Sequence, residues 1–345
     1  MSADEFLKIL DGEYGVSGNE GGMRSLLKTL FEKYCDSVFC DKMGNVIGKC
    51  TAKEKNAPSV MIEAHMDELG MLVSSVTDEG MLRFVTLGGF DQKILPGTEV
   101  TVHGKKRLCG VIGALPPHLV KDKEKGIKIG DMCVDVGFKA KTDAEAFVNI
   151  GDVITINTGY TRLMGNMRAA RCIDDRGGLC VVLRVLEAVS KNELPVNIYA
   201  VAAVQEELGM RGARAAAGHI LPDYAIAVDV GYGISDGVTE ESFACGKGPI
   251  ITVGPNLDRA FTKSIMSFAK KEDIPFQTEV CAGSTGTDAW EIQVSGSGVK
   301  TALLSVPLRY MHSSYEVCDI QDIENAARII SGAILKIKGE ASPCL

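Results

Sequence analysis

Apolar, strand-like segments alternate with helix-like segments in the C-terminal half of the sequence, and this alternation restricts the fold more than any other feature. The strand-like runs VNIYAVAAV, DYAIAVDV and KTALLSVPL are separated by the helix-like segments MRGARAAAGH and FTKSIMSFAKKE, and DIENAARIISGAILKI follows the last strand. Strands that alternate with helices form mostly parallel sheets with helices on their faces. The alternation therefore predicts an α/β fold with a doubly wound, mostly parallel sheet.

A different pattern occupies the chain from about Met71 to Thr155. Short β-rich runs, such as MLVSSV, MLRFVTL, TEVTVHG and LCGVIGAL, are separated by glycine, proline and charged turns. This spacing is typical of a small β-barrel or β-sandwich. We therefore expect an α/β domain made of residues 1–68 and 160–345, with a β-rich domain inserted at residues 69–159.

Composition argues against several classes of protein. The net charge of the 345-residue chain is −8, which disfavours a nucleic-acid-binding function. The sequence has no run of about 18 apolar residues of the kind that spans a membrane, and MSADEFLKIL is not a secretory signal. The 11 cysteines include no CxxC pair, and most lie in apolar stretches. We therefore expect a reduced, cytoplasmic protein that binds neither nucleic acid nor membranes.

Residues of the types that bind metals follow the predicted strands or lie in nearby loops. These candidates are His65, Asp67, Asp174, Asp175, Glu206, Glu207, Asp229 and His312. Each alone has a structural explanation, such as a helix N-cap for Asp174 or a turn for Asp229. Because open α/β sheets bind ligands outside the carboxyl ends of their strands, the recurrence of these residues there favours one shared site.

The candidate residues suit two divalent cations. His65 and His312 offer imidazole nitrogens, while Asp174, Glu207 and Asp229 offer carboxylates. Because these positions include no thiolate but do include histidine, zinc or cobalt is favoured over an iron–sulfur cluster or a magnesium site. Without a metal, the same carboxylates would be confined in a cleft without a counter-charge.

Asp67 lies two residues after His65, so both side chains of an extended chain point to the same side. We expect Asp67 to accept a hydrogen bond from the second ring nitrogen of His65 and to fix its tautomer. For Glu68, in the same motif, a surface or structural position is the favoured interpretation. The same interpretation is favoured for His103 and His118 in the β-rich segment.

Taken in order, the motifs AHMDELG, CIDDRGG, QEELGMRGA, AVDVG, GTDA and YMHSSYE resemble a dizinc aminopeptidase family. That family includes the tetrahedral aminopeptidases, glutamyl aminopeptidase and proteins once labelled endoglucanase M, and the likeness covers nearly the whole chain. It implies that residues 1–68 and 160–345 form a metallopeptidase catalytic domain and that residues 69–159 form a dimerisation domain. It also implies self-association into hollow homododecamers that take short peptides.

The resemblance further implies how the metal ligands are shared. Asp174 would bridge the two metals. One metal would also be held by His65 and Asp229, and the other by Glu207 and His312.

The resemblance also implies the remaining roles in the site. Glu206 would be the general base, and Asp67 would orient His65. The peptide bond between Asp174 and Asp175 would be cis. The implied activity is removal of N-terminal residues from short peptides, with two metals activating water and Glu206 accepting its proton.

Three other functions are alternatives to the aminopeptidase interpretation. An N-acyl-amino-acid or amide hydrolase could use the same two metals. A glycosidase is disfavoured because the adjacent Glu206 and Glu207 do not flank a sugar from opposite faces. A non-catalytic, metal-stabilised assembly would leave Glu206 without a role.

Two residues depart from the family pattern. Ser314 replaces a usual proline. Trp290 stands where small residues are common, and this second departure concerns the substrate pocket.

Overall fold

The computed structural model of the chain describes residues 1–116 and 126–337, so His118 lies outside the described residues. Within these ranges the helices are α1 Ala3–Asp11, α2 Gly21–Phe31, α3 Lys141–Glu145, α4 Ile173–Val189, α5 Arg211–Ile220, α6 Arg259–Lys271, α7 Ala289–Ile292 and α8 Ile320–Ile334. None of the helices in the described part of the chain is long and apolar enough to cross a membrane.

The strands belong to one large sheet and one barrel. They are β1 Ser37–Cys40, β2 Val46–Cys50, β3 Ser59–His65, β4 Gly70–Val76, β5 Leu82–Leu87, β6 Glu99–His103, β7 Arg107–Gly113, β8 Cys133–Asp135, β9 Val153–Ile156, β10 Thr161–Arg162, β11 Met167–Ala170, β12 Asn197–Ala203, β13 Tyr224–Tyr232, β14 Ile250–Val253, β15 Gln277–Val280, β16 Lys300–Arg309 and β17 Glu316–Asp319.

The large sheet has a parallel centre and antiparallel margins. Its strand order is β1-β2-β12-β3-β13-β16-β17-β11-β10, and β14 and β15 extend from β16. The strands β12, β3, β13 and β16 are parallel, whereas β1, β2, β17, β11 and β10 pair antiparallel. The predicted α/β class is confirmed, and the sheet is mixed around a parallel core.

Two helical layers cover the two faces of this sheet. Alternate residues of β12 show this directly, since Ala200 and Ala202 pack into one buried cluster while Val201 and Ala203 pack into another. The first cluster includes residues of α1, α2, α4, α6 and α8, and the second includes residues of α5 and α7. A strand buried on both faces requires a nearly continuous apolar run, which explains the sequence VNIYAVAAV.

The β-rich segment forms a closed antiparallel barrel with strand order β4-β5-β8-β7-β6-β9. Its interior is filled by apolar side chains such as Met71, Leu82, Val100, Val134 and Ile154. Of the two predicted arrangements, barrel and sandwich, the barrel is therefore the observed one. The barrel strands lie between β3 and β10 in the chain. This order supports our proposal that residues 69–159 are an inserted domain.

Candidate metal centre

Parallel strands bring several predicted donors to one edge of the sheet. Strand β3 ends at His65, which lies beside Ala203, the last residue of β12. Glu206 and Glu207 follow shortly after β12, and Asp229 lies on β13, which pairs parallel with β3. Because these strands run in the same direction, their carboxyl ends open on one cleft.

Asp174 lies at the centre of the cluster, between the two histidines. Its Oδ1 is 3.0 Å from Nε2 of His65, and its Oδ2 is 3.2 Å from Nε2 of His312. The backbone N–H of Asp174 donates to Oε2 of Glu316 at 3.0 Å. The Asp174–Asp175 peptide bond is cis, as the resemblance implies. The two carboxylate oxygens of Asp174 thus face different imidazole rings.

The side chains form sets of possible metal donors whose atoms lie within 4.8 Å of one another. Each set combines a histidine with two carboxylates. In the described part of the chain the sets are His65 with Asp175 and Asp229, His65 with Glu206 and Glu207, and Asp174 with Glu207 and His312. All the ligand residues predicted from the sequence occur in these sets, and Asp175 and Glu206 occur in them as well.

The carboxylates of the cluster are crowded and buried. Burial raises the pKa of Asp229 and of Asp175 well above the ordinary value, and neighbouring carboxylates act in the same direction. Burial also raises the pKa of Glu206 to about 8, to which Asp288 and Glu207 contribute. Such a group of carboxylates fits divalent cations, because the cations supply positive charge that the buried side chains lack.

Both histidines are held by carboxylates. Burial lowers the pKa of His65, but its contacts with Asp174 and Asp67 outweigh burial and keep it well above the ordinary value. Hydrogen bonds with Asp174 and Glu207 raise the pKa of His312 to about 11. The Nε2 atom of His312 also lies 3.4 Å from Oε1 of Glu207. Metal ions that bind these nitrogens therefore compete with protons.

Asp67 connects the first histidine to the two glutamates. Its Oδ1 accepts a hydrogen bond from the backbone N–H of Glu206 at 2.8 Å, and its Oδ2 accepts one from Glu207 at 3.2 Å. The Nδ1 atom of His65 lies 3.1 Å from the backbone carbonyl oxygen of Asp67 and 3.5 Å from its Oδ1. The hydroxyl group of Ser17 also donates to Oδ2 of Asp67. The contacts with Ser17 and both glutamates were not predicted.

Buried acids that the sequence analysis left unassigned surround the donors. Glu316 accepts hydrogen bonds from the backbone N–H groups of Asp174 and His312, at 3.0 and 2.7 Å. Burial raises the pKa of Glu63 to about 8 and the pKa of Asp288 well above its ordinary value. The carboxylate oxygens of both side chains are buried and have no hydrogen-bond partner among the described residues. A glutamate inside the apolar strand VMIEAH was the available signal for Glu63.

Glu68 is buried in an ion-pair network, so the structural interpretation of this residue is correct. Its Oε2 accepts hydrogen bonds from Arg171 and Arg176, each at 2.6 Å, and its Oε1 accepts one from the backbone N–H of Gly15 at 2.9 Å. Both arginines also donate to the backbone carbonyl group of Glu13. Burial raises the pKa of Glu68, but Arg176 and Arg171 outweigh burial and hold it at about 2.

A cleft of about 420 Å³ opens beside the donor cluster. Glu206, Glu207 and His312 contribute to one wall of this cleft, whereas Trp290 is not among its described lining residues and is 37% exposed. His103 lies away from the cleft. Its Nε2 atom contacts the Thr155 hydroxyl group at 2.9 Å, and its ring stacks on Tyr14. This half-buried position agrees with a structural role for His103.

Imidazole and carboxylate donors at the carboxyl edge of an α/β sheet, next to an open cleft and a glutamate of raised pKa, define a metallohydrolase. A family model described as M42 glutamyl aminopeptidase matches residues 44–329. The chain belongs to this family and is therefore a metallo-aminopeptidase, a hydrolase of peptide bonds.

Individual relatives agree with this assignment. The lysyl aminopeptidase of Pyrococcus furiosus is 36% identical over 341 residues, which cover 97% of each chain. Among solved structures, the aminopeptidase APDkam598 of Desulfurococcus kamchatkensis superimposes with a TM-score of 0.91 at 32% identity, covering 98% of this chain and 95% of its own. The Pyrococcus horikoshii TET1 peptidase, described as assembling into a tetrahedron or a large octahedral shell, gives a TM-score of 0.86 at 32% identity, covering 97% of this chain and 100% of its own.

Proposed function

We propose that this protein removes N-terminal residues from short peptides by metal-assisted hydrolysis at the cluster around Asp174. Two divalent ions, zinc or cobalt, would share the Asp174 carboxylate. His65 and Asp229 would complete one site, and Glu207 and His312 the other. The observation that carries this proposal is the position of Asp174, whose two oxygens lie 3.0 and 3.2 Å from the Nε2 atoms of the two histidines.

The ions supply Lewis acidity when bound, which lowers the pKa of water from about 16 to about 7 and polarises a carbonyl group. Glu206 lines the cleft beside the donors and has no assigned ligand role. Its carboxylate accepts the proton of the attacking water and returns it to the nitrogen of the leaving amine. Asp67 acts as a positioning residue, because it holds the backbone N–H groups of Glu206 and Glu207.

Self-association is the second part of this proposal. We propose that the barrel domain at residues 69–159 mediates dimerisation and that the protein assembles into a homododecamer in the cytoplasm. The support is the likeness to the solved structure PhTET1-12s, which is described as a dodecamer and covers 98% of this chain, so that the match includes the barrel. Light scattering of the zinc-loaded protein measures the mass directly.

Hydrolysis of aminoacyl p-nitroanilides and short peptides by the zinc- or cobalt-loaded protein tests the activity. We expect release of single N-terminal residues and loss of activity after chelation, with recovery when the metal is returned. Peptides with an acetylated N-terminus should not be cleaved. Efficient cleavage of the acetylated peptides would instead support an N-acyl-amino-acid hydrolase, and no release from any free peptide would refute the proposal.

A further inference from the structure

We propose that Glu279 selects substrates whose N-terminal side chain is cationic, that is, lysine or arginine. This inference rests on the aminopeptidase function proposed above and names the class of substrate that the cleft accepts. Glu279 is a specificity-determining residue in this proposal and takes no part in the chemical step.

Glu279 lines the same cleft as the metal donors but lies on a different wall. It belongs to β15, the partner of β14, which in turn pairs with β16. Three strand pairings separate β15 from Asp229. Asp229 on β13 pairs with Ser305 on β16, Ser305 pairs with Ile250 on β14, and Ile250 pairs with Gln277 on β15. With strands about 4.8 Å apart, the backbone of β15 is therefore about 14 Å from that of Asp229. This separation places Glu279 across the cleft from the donors and outside the set of metal ligands.

The carboxylate of Glu279 is fixed on one oxygen and available on the other. Its Oε2 accepts a hydrogen bond from the hydroxyl group of Thr252 at 2.7 Å. Thr252 is fully buried and is the direct neighbour of Glu279 in the ladder. Glu279 itself is half-buried. The hydrogen bond restrains the side chain, while Oε1 has lone pairs for a further donor.

Glu279 has no cationic partner among the described residues that line the cleft, which include no lysine and no arginine. The lining of the cleft includes small or hydroxyl-bearing residues, among them Gly231, Thr285, Gly286 and Thr287, together with apolar side chains such as Met210 and Met311 that can pack against the stem of a long side chain. Bound metal ions would balance the donor carboxylates, whereas Glu279 lies on a strand that contributes no residue to the donor sets.

A lysine or arginine side chain in this cleft supplies the missing cation and a charge-assisted hydrogen bond. A leucine side chain leaves the carboxylate partly desolvated without a partner, and an acidic side chain adds a repulsion. Sites built around a buried polar partner discriminate strongly against ligands that lack it. We therefore expect the order lysine and arginine, then leucine, then glutamate.

The test compares the zinc-loaded protein with its Glu279→Gln variant on lysyl, arginyl, leucyl and glutamyl p-nitroanilides. We expect Glu279→Gln to lower kcat/KM for the two cationic substrates by about 10- to 100-fold, mainly through KM. Hydrolysis of the leucyl substrate should not fall and should rise slightly, because the variant removes the cost of desolvating the carboxylate, and this retained activity also shows that the variant is folded. The control is Glu272→Gln, which removes an exposed carboxylate next to the end of α6 and should change none of these values.

Calorimetric titration of the zinc-loaded proteins with free L-lysine and L-leucine separates binding from catalysis. We expect the wild-type protein to bind lysine more tightly and Glu279→Gln to lose that preference. If no peptide is cleaved but lysine binding depends on Glu279, the proposed function fails, whereas the assignment of Glu279 as the partner of a cationic side chain in the cleft stands. A wild-type preference for leucine or glutamate, or a lysine-to-leucine ratio that Glu279→Gln leaves unchanged, overturns the inference alone.

Discussion

The hydroxyl group of Ser17 donates a hydrogen bond to Oδ2 of Asp67, although 50 residues separate them in the sequence. The backbone of the loop that contains Ser17 is also hydrogen-bonded to Glu68, the residue that follows Asp67. Ser17 donates its N–H to the carbonyl oxygen of Glu68 at 3.2 Å, and Glu68 donates its N–H to that of Gly15 at 3.0 Å. The loop between α1 and α2 is thus part of the support for the metal centre.

Replacement of Ser17 by alanine should weaken metal binding, because Asp67 loses a donor that fixes its carboxylate. Loss of such an outer hydrogen bond lowers metal affinity by about 10- to 100-fold. Competition with a zinc chelator measures this affinity. The matched control is Ser25→Ala, since the Ser25 hydroxyl group donates only to a backbone oxygen within α2. Equal zinc affinities for the two variants would contradict the positioning role of Ser17.

Glu206→Gln should retain its metals and lose turnover. Glutamine keeps the backbone N–H that donates to Asp67 but has no carboxylate to accept a proton. General-base catalysis contributes about 10²- to 10⁴-fold, so kcat should fall by at least about 100-fold. Elemental analysis checks the metal content, and steady-state kinetics checks the rate. Near-normal turnover of the variant would show that another group is the base.

His65→Ala should lose metal together with activity. The imidazole of His65 contacts Asp174 and lies in two of the donor sets, so its removal leaves carboxylates without their nitrogen partner. Elemental analysis after dialysis should show a clear decrease in bound zinc. His219→Ala, which removes an exposed imidazole on α5, should leave the metal content unchanged. Full metal content in His65→Ala would exclude this residue as a ligand.

Glu68→Gln should destabilise the fold because it leaves Arg171 and Arg176 without their shared buried partner. Breaking a buried ion pair by removing one partner costs about 3–5 kcal/mol, so the free energy of unfolding at neutral pH should fall by that amount. Urea unfolding measures the difference. Glu32→Gln, an exposed change that follows α2, is the control and should have little effect.

The difference in the free energy of unfolding between wild type and Glu68→Gln should depend on pH. The pKa of Glu68 in the fold is about 2, below its ordinary value of 4.5. The ionised carboxylate therefore contributes its full stabilisation above about pH 4.5, and this contribution is lost as the pH falls through about 2. The difference between wild type and Glu68→Gln should be constant from pH 7 to 5 and decrease below 4.5. A difference that grows on acidification would refute this account.

Local pattern was sufficient to predict the class of fold and the candidate donors. The apolar runs that end at His65 and precede Glu206 predicted buried strands, and the parallel centre of the sheet confirms that prediction. The spaced β-rich runs predicted a barrel or sandwich but did not distinguish between them. Closure of the barrel depends on β4 pairing with β9, two strands more than 70 residues apart, which no local pattern records.

The sequence by itself determined which residue types stand at the ends of the strands, because strand periodicity and strand ends are local properties. Only the tertiary structure decided which of these side chains touch. Asp67 meets Glu206 and Glu207 because β3 and β12 pair in one particular register, with His65 beside Ala203. Hydrogen bonds and ion pairs between distant segments depend on packing and register. They leave no periodic trace along the chain.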